Sequence, residues 1–541
     1  MVVVALQRVV LCDPAMNNLP EEVCDEKTPV LDKRRAGILL PITSLPEVPF
    51  HSDANFSNDN YTTMNNHNGD FSQAFAFIDF LHAAGCSVWQ ILPLGPTHPD
   101  KSPYQCLSAH AGNPLLISVD WLRELKYLPK LTVADDVTFT EQDKKNYLQQ
   151  AFTIFKKNKS QKNTIQKDYN EFIKMHAVWL QDYALFMAIR QSQGDQHWIE
   201  WDSALRDRAE HAMESVRITL SDAIEKIKFE QYIFFQQWQK IKSYAHQKNI
   251  LLFGDMPLFV AHDSADVWAH RDLFMLDENG QAKIVAGVPP DYFSAEGQRW
   301  GNPHYHWQSL QSQHFQWWLE RLSTELARID LLRIDHFRGL AASWAIPATA
   351  ATAAEGYWLP VPGAELLQAL NEKFTQLPLI AEDLGIITPD VKCLRDQFYL
   401  PGMKILQFAF DSGTDNPYLP AQHIENCVLY TGTHDNNTSL AWYDALDEHQ
   451  KNTVDNILKT YINTEAINHK DNMPWPLIYC ALASVAKLVI LPMQDILSLG
   501  EGNRTNTPGT IDNNWQWRFS WSQISPTLVP ELKTLLQFYK R

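Results

Sequence analysis

The chain has 541 residues, and 46 lysines and arginines against 63 aspartates and glutamates leave it with a net charge of −17. A surface of that sign repels a phosphate backbone or an anionic membrane, which argues against nucleic-acid and membrane partners. Hydrophobic residues at 45% and charged residues at 20% describe a globular chain, so disorder and fibrous structure are excluded as well.

Residues 1–35 are polar with little periodicity and read as an N-terminal extension. Their apolar start, Met1 to Cys12, contains Arg8, lacks a basic opening and is far shorter than the ~20 residues of a membrane span, so neither a signal peptide nor a transmembrane helix is expected. Seven scattered cysteines without a CxxC pair argue against a disulfide framework or a structural zinc site, and point to reduced thiols in a cytoplasmic protein.

From Gly37 onward, eight short and almost continuous apolar runs appear: Gly37 to Ile42, Val88 to Leu94, Leu251 to Met256, Ile329 to Asp335, Pro378 to Asp383, Met403 to Phe408, Cys427 to Thr431 and Leu488 to Met493. Runs of this kind are strands buried on both faces, as in a parallel sheet. Punctuated helices lie between several of them. Asp70 and Gln73 are placed to cap a helix carrying Phe71, Phe75 and Ile78, which Gly85 ends. Phe315, Trp318, Leu319, Leu322 and Leu326 keep helical spacing before the fourth run, and Thr388-Pro389 opens another helix. The alternation predicts an α/β fold, a (β/α)8 TIM barrel, with an open doubly wound sheet as the competing arrangement. The barrel would occupy residues 36–541, interrupted by a helical subdomain at 120–248 and by a Gly-, Pro- and aromatic-rich excursion at 263–306 over the active-site face.

In such a barrel, catalysis belongs at the C-terminal ends of the strands. Three of these ends carry carboxylates: Arg333-Ile-Asp335, Glu382-Asp383, and His434-Asp435. Arg333 is two residues before Asp335 and shares its face, and a guanidinium there holds the carboxylate ionised, as a nucleophile requires. Glu382 and Asp383 are adjacent and face opposite ways, so only one enters the site. One ionised and one protonated carboxyl, roughly 5 Å apart on neighbouring strands, are what retaining glycoside chemistry needs. Asp435 with His434 could bind sugar hydroxyls. The chain has 18 tryptophans beside 18 tyrosines and 26 phenylalanines. Most are expected in the core, and the rest could stack on a ligand. His304 and His306 lack a third metal ligand nearby in sequence, and Cys106 has no sequence-adjacent base.

Longer motifs carry a family resemblance. Arg35-Ala-Gly-Ile-Leu-Leu-Pro-Ile-Thr-Ser-Leu-Pro46, Ser102-Pro-Tyr-Gln105, Asp263-Ser-Ala-Asp-Val-Trp268, Trp300-Gly-Asn-Pro303, Arg333-Ile-Asp-His-Phe-Arg-Gly339, Ala381-Glu-Asp-Leu-Gly385, Tyr430-Thr-Gly-Thr-His-Asp-Asn436 and Asn506-Thr-Pro-Gly509 resemble the 4-α-glucanotransferases, the amylomaltases or disproportionating enzymes of glycoside hydrolase family 77. The resemblance runs from about Arg35 to Arg518 in the family's order. It implies a cytoplasmic barrel enzyme that moves α-1,4-glucan segments between maltooligosaccharides, without cofactor or metal. It implies Asp335 as nucleophile, Glu382 as general acid/base and Asp435 as transition-state stabiliser. Arg333 and His434 would flank the cleaved sugar, and Asp255 would contact it from the other side. Ser102 lies in a binding motif, Tyr104 and Phe408 would supply apolar faces, and Tyr292, Gln298 and Trp300 would cover the acceptor groove. His110 and His262 stand where the family pattern has larger aromatics.

Overall fold

The computed structural model describes residues 31–46, 69–129, 140–158, 164–290, 296–374, 376–411, 413–462 and 472–541. Residues 1–30 of the N-terminal extension, and the Asn-rich segment 55–68, lie outside the described residues.

The eight apolar runs form eight parallel strands: β1 (Arg35–Leu39), β2 (Val88–Gln90), β3 (Leu251–Pro257), β4 (Leu331–Asp335), β5 (Leu379–Ala381), β6 (Gly402–Ile405), β7 (Cys427–Tyr430) and β8 (Leu488–Pro492). Their spatial order is β6-β7-β8-β1-β2-β3-β4-β5. Strand β8 pairs back onto β1, with Arg35 opposite Leu488 and Leu39 opposite Pro492. The remaining seam, between β5 and β6, is joined by the Ala381 N–H donating to the Pro401 carbonyl at 2.8 Å. The sheet therefore curls into a (β/α)8 barrel, whereas a doubly wound sheet would leave two edges apart.

Side-chain alternation explains what the barrel contains. Residues two apart on a strand share a face. Leu39, Val88, Phe253, Leu331, Ile380, Met403, Ile405, Val428, Tyr430, Leu488 and Ile490 point inward and meet in one buried cluster. The alternate residues, among them Ile38, Trp89, Leu252, Leu332, Ala381, Leu429 and Val489, join the larger core under the helices. Continuing this parity along the strands, and one residue past the end of β5, carries Phe253 to Asp255, Leu331 to Arg333 and Asp335, and Ile380 to Glu382. All four polar groups follow the inward row, and Asp383 turns the other way.

Asp383 has a structural task there. Its carboxylate accepts from the Met403 N–H at 2.7 Å and pairs with Arg395 at 2.5 Å, bridging the β5–β6 seam from outside. Asp383→Ala would leave the buried Met403 N–H without its acceptor and Arg395 with Asp396 as its remaining carboxylate, and is expected to cost about 2 kcal/mol of stability. Urea unfolding followed by fluorescence measures this, and an unchanged midpoint would show that the seam holds without the bridge.

Several predicted caps take another form. Asp70 accepts from Ser72 N–H at 2.8 Å and opens a short 3-10 turn, Phe71–Gln73, ahead of the helix Ala74–Ala84. Gln73 does not complete a capping box; it accepts from the Trp521 indole at 3.2 Å. Gly85 ends the helix with φ 81°, a conformation that suits glycine. Thr388 precedes the helix Pro389–Gln397 without a side-chain cap, because its hydroxyl accepts from Arg338 at 3.2 Å. Trp317 and Trp318, on the helix Gln316–Arg328, are buried.

Between β2 and β3 the described chain runs mainly through helices, among them Glu141–Asn158, Ala177–Ser192 and the long Ser221–Gln247. A second, antiparallel sheet orders its strands as Gln298–Pro303, Ile284–Val288, Ala342–Pro347 and Tyr357–Pro360. Its last strand is mostly exposed on both faces, so no alternation in the sequence announces it. Cys86, Cys106, Cys427 and Cys480 are free thiols. No described helix is long and apolar enough to cross a membrane.

Candidate active site

The inward rows of β3, β4 and β5 converge at the C-terminal mouth of the barrel. Arg333 sits at their centre, almost wholly buried. One guanidinium nitrogen lies 2.6 Å from Asp255 Oδ2 and the other 2.9 Å from Asp335 Oδ1, so a single cation joins carboxylates from two neighbouring strands. The two carboxylates differ in access. The Asp335 side chain is 30% exposed and open to a ligand, whereas that of Asp255 has no exposed surface. Tyr104 and Arg333 together cover the Oδ2 of Asp255, which orients the guanidinium.

Tyr104 donates its hydroxyl proton to Asp255 Oδ2 at 2.8 Å. The same hydroxyl lies 2.8 Å from His434 Nε2, and since its one proton is committed to Asp255, Nε2–H must donate to the phenol oxygen. The two rings also stack, with centroids 5.3 Å apart and planes at 16°. Ser102 serves this arrangement locally: its hydroxyl accepts from the Tyr104 N–H at 3.3 Å and shapes the turn.

Glu382 stands level with Asp335. Ile334 pairs with Ala381 in the β4–β5 register, so the next residue on each chain emerges side by side. Neighbouring strands lie roughly 4.8 Å apart, so the two inward carboxyls start from adjacent backbone positions. Glu382 is held by backbone: Oε2 accepts from the His336 N–H at 2.7 Å and Oε1 from the Leu384 N–H at 2.9 Å. Burial pushes its carboxyl up to about 7, with the charge of Asp335 adding to the rise while Arg333 and the two N–H donors oppose it. It is therefore substantially protonated near neutrality, as a general acid must be.

Asp435 comes from the loop after β7. His434 Nε2 is 3.4 Å from its Oδ2, and Asn506 donates to its Oδ1 at 2.7 Å. Arg504 donates to its backbone carbonyl. Asp495, fully buried beneath the loop, accepts from the Thr431 hydroxyl at 2.6 Å and from the Ser439 N–H and hydroxyl at 2.8 and 2.6 Å, and so ties both ends of the loop together. Asn506 belongs to a motif visible in the sequence, but its partner lies 71 residues away and nothing local assigns it to Asp435.

Aromatic groups complete the mouth. Phe408, Leu384 and Trp515 pack with Tyr104 on top of the barrel cluster. Trp300 stands edge-on to His336 at 4.9 Å and donates its indole N–H to Gln298 Oε1 at 3.1 Å, which joins two of the expected groove residues. Tyr292 lies outside the described residues. His110 stacks on Trp179 at 5.8 Å and bonds Thr324 at 3.0 Å, so the imidazole fills an aromatic place inside the core. His262 bonds the Gly280 carbonyl at 2.7 Å.

A parallel barrel that brings two carboxyls level on adjoining strands, one pinned by an arginine and one pushed towards its neutral form, has the layout of a two-carboxylate enzyme acting on glycosidic bonds. The comparisons with known proteins are more specific. The family model described as 4-alpha-glucanotransferase matches residues 62–524. A 4-alpha-glucanotransferase of Synechocystis sp. is 44% identical over 524 residues, covering 95% of this chain and 99% of its own. One from Thermus thermophilus is 43% identical over 481 residues, covering 87% and 94%. A solved structure, the amylomaltase from Streptococcus agalactiae in complex with acarbose, superposes with a TM-score of 0.84 at 34% identity, covering 94% of this chain and all of that one. The chain belongs to the 4-α-glucanotransferases of glycoside hydrolase family 77.

Proposed function

We propose that this chain transfers α-1,4-glucan segments from a donor maltodextrin to the 4-hydroxyl of an acceptor glucan or glucose by a retaining double displacement, with Asp335, Glu382 and Asp435 as its catalytic residues. The observation that carries this reading is the pairing of Asp335, bound to Arg333 at 2.9 Å, with a level Glu382 whose carboxyl is pushed up to about 7. Glu382 gives its proton to the leaving glycosidic oxygen as the Asp335 carboxylate bonds to the anomeric carbon, leaving a glycosyl ester and a Glu382 carboxylate. An acceptor 4-hydroxyl then loses its proton to Glu382 while its oxygen displaces Asp335, and both residues return to their starting state. Asp435, steadied by Asn506, stabilises positive charge on the sugar in each transition state. Arg333 and His434 flank that sugar, and Asp255 and Tyr104 hold them in place.

Transfer instead of hydrolysis requires that a sugar hydroxyl outcompete water. The aromatic mouth formed by Tyr104, Phe408, Trp515 and Trp300 supports this by stacking on sugar faces and drying the reacting centre. Neutral glucans need stacking and hydrogen bonds, which an acidic chain can supply. Free thiols suit a cytoplasmic setting. Incubation with maltotriose tests the reaction. Glucose together with a ladder of longer maltodextrins is expected, whereas glucose and maltose without longer products would identify a hydrolase on the same barrel.

A further inference from the structure

Behind the site lies a group of buried polar atoms that the reaction scheme does not use. Asp255 Oδ2 receives Tyr104 and Arg333, but its Oδ1 is buried and has no hydrogen-bond partner. Arg321 Nε, Arg328 Nε and Arg328 Nη2 are in the same condition. All three residues line one small cavity of about 30 Å³, together with Glu325 and Cys106, between the end of β3 and the helix Gln316–Arg328. Glu325 reaches Arg328 only at 3.7 Å, beyond hydrogen-bonding distance. A buried polar atom without a hydrogen-bond partner is unfavourable, and a polar cavity of this size holds about two water molecules, each able to make two to four hydrogen bonds. The chemistry of the lining is complementary: Asp255 and Glu325 accept, and Arg321 and Arg328 donate. Cys106 donates instead to the Pro103 carbonyl at 3.1 Å.

We infer that this cavity is a hydration chamber in which ordered water links Asp255 Oδ1 to Glu325 and Arg328, making Glu325 a positioning residue for the Asp255–Arg333–Asp335 chain. The inference rests on the role proposed above for Asp255. Water satisfying Oδ1 leaves Oδ2 directed at Arg333, and thereby sets the angle at which Arg333 presents Asp335. The titratable and charged groups around this chain are Tyr104, Arg333, Asp335 and His434 beside Asp255, and Arg321, Arg328 and Cys106 beside Glu325. Asp255 and Glu325 are close enough for each charge to disfavour the other, so a change at Glu325 is felt in the acidic limb of the rate profile.

A crystal structure of the full chain, at a resolution that orders water, is expected to show water bonded to both Asp255 Oδ1 and Arg328 or Glu325. Glu325→Gln is expected to lower kcat on maltotriose roughly tenfold, as loss of a supporting partner behind a site does. KM should change less, and the acidic limb of kcat/KM should move to lower pH. Ala261 also lines the cavity, and Ala261→Val, which narrows it without touching charge, is expected to give a similar loss of kcat. A dry cavity overturns the inference, as do wild-type kcat and pH profiles in both variants. Asp255→Asn separates the two readings: if it is nearly inactive while Glu325→Gln and Ala261→Val behave as wild type, only the chamber falls, and if it is fully active, the role of Asp255 falls with it.

Discussion

Asp335→Asn is expected to lower kcat on maltotriose by roughly 10⁴- to 10⁶-fold, the scale on which removal of a covalent nucleophile acts. The amide keeps the size of the carboxylate and its oxygen can still accept from Arg333, and Asp255 remains to pair the guanidinium at 2.6 Å. The fold should therefore survive, and a melting temperature near that of the wild type separates lost chemistry from lost structure. Glucose release measures the rate. A variant with most of its turnover intact would remove Asp335 as the nucleophile and, with it, the double displacement.

Glu382→Gln is expected to lose about 10³- to 10⁴-fold on maltotriose, because neither the leaving oxygen nor the acceptor hydroxyl has a proton partner. With an α-maltosyl fluoride donor the outcome should differ. Fluoride departs without a proton, so the first step recovers, while the second, still lacking its base, does not. A glycosyl ester should then accumulate on Asp335 and be visible by mass spectrometry. The same residue sets the alkaline limb of the wild-type profile. The acid must be protonated in the free enzyme, and its carboxyl is pushed up to about 7, so kcat/KM should be sustained below that value and fall as pH rises through it. A limb that stays in place in a variant moving this carboxyl, or fluoride release that remains slow in Glu382→Gln, would assign the acid to another group.

Much of this candidate site is legible in the sequence, and the reason is geometric. A strand alternates its side chains with a period of two, so Arg333 must share a face with Asp335, and Glu382 must turn away from Asp383. The barrel applies the same parity, with Leu331 and Ile380 on the inner face. The helical caps were less legible. Gln73 and Thr388 have the right residue type at the right spacing for capping, yet Trp521 and Arg338 claim their polar atoms from distant parts of the chain. Local propensity expresses a preference, and a tertiary partner with better geometry overrides it.

The sequence by itself determined the eight buried strands, their alternation with helices and the identity of the carboxylates at their ends, because each of these is written in residues a few positions apart. Only the tertiary structure decided which groups hold those carboxylates. Tyr104 meets His434 across 330 residues, Asn506 reaches Asp435 across 71, and Asp495 ties Thr431 across 64. It also decided that Asp255 is buried against Arg333, and that four strands with little pattern of their own form a second sheet. Contacts of that length leave no period in the chain. Their positions are set when the barrel closes and brings the strand ends, and the loops that follow them, to one mouth.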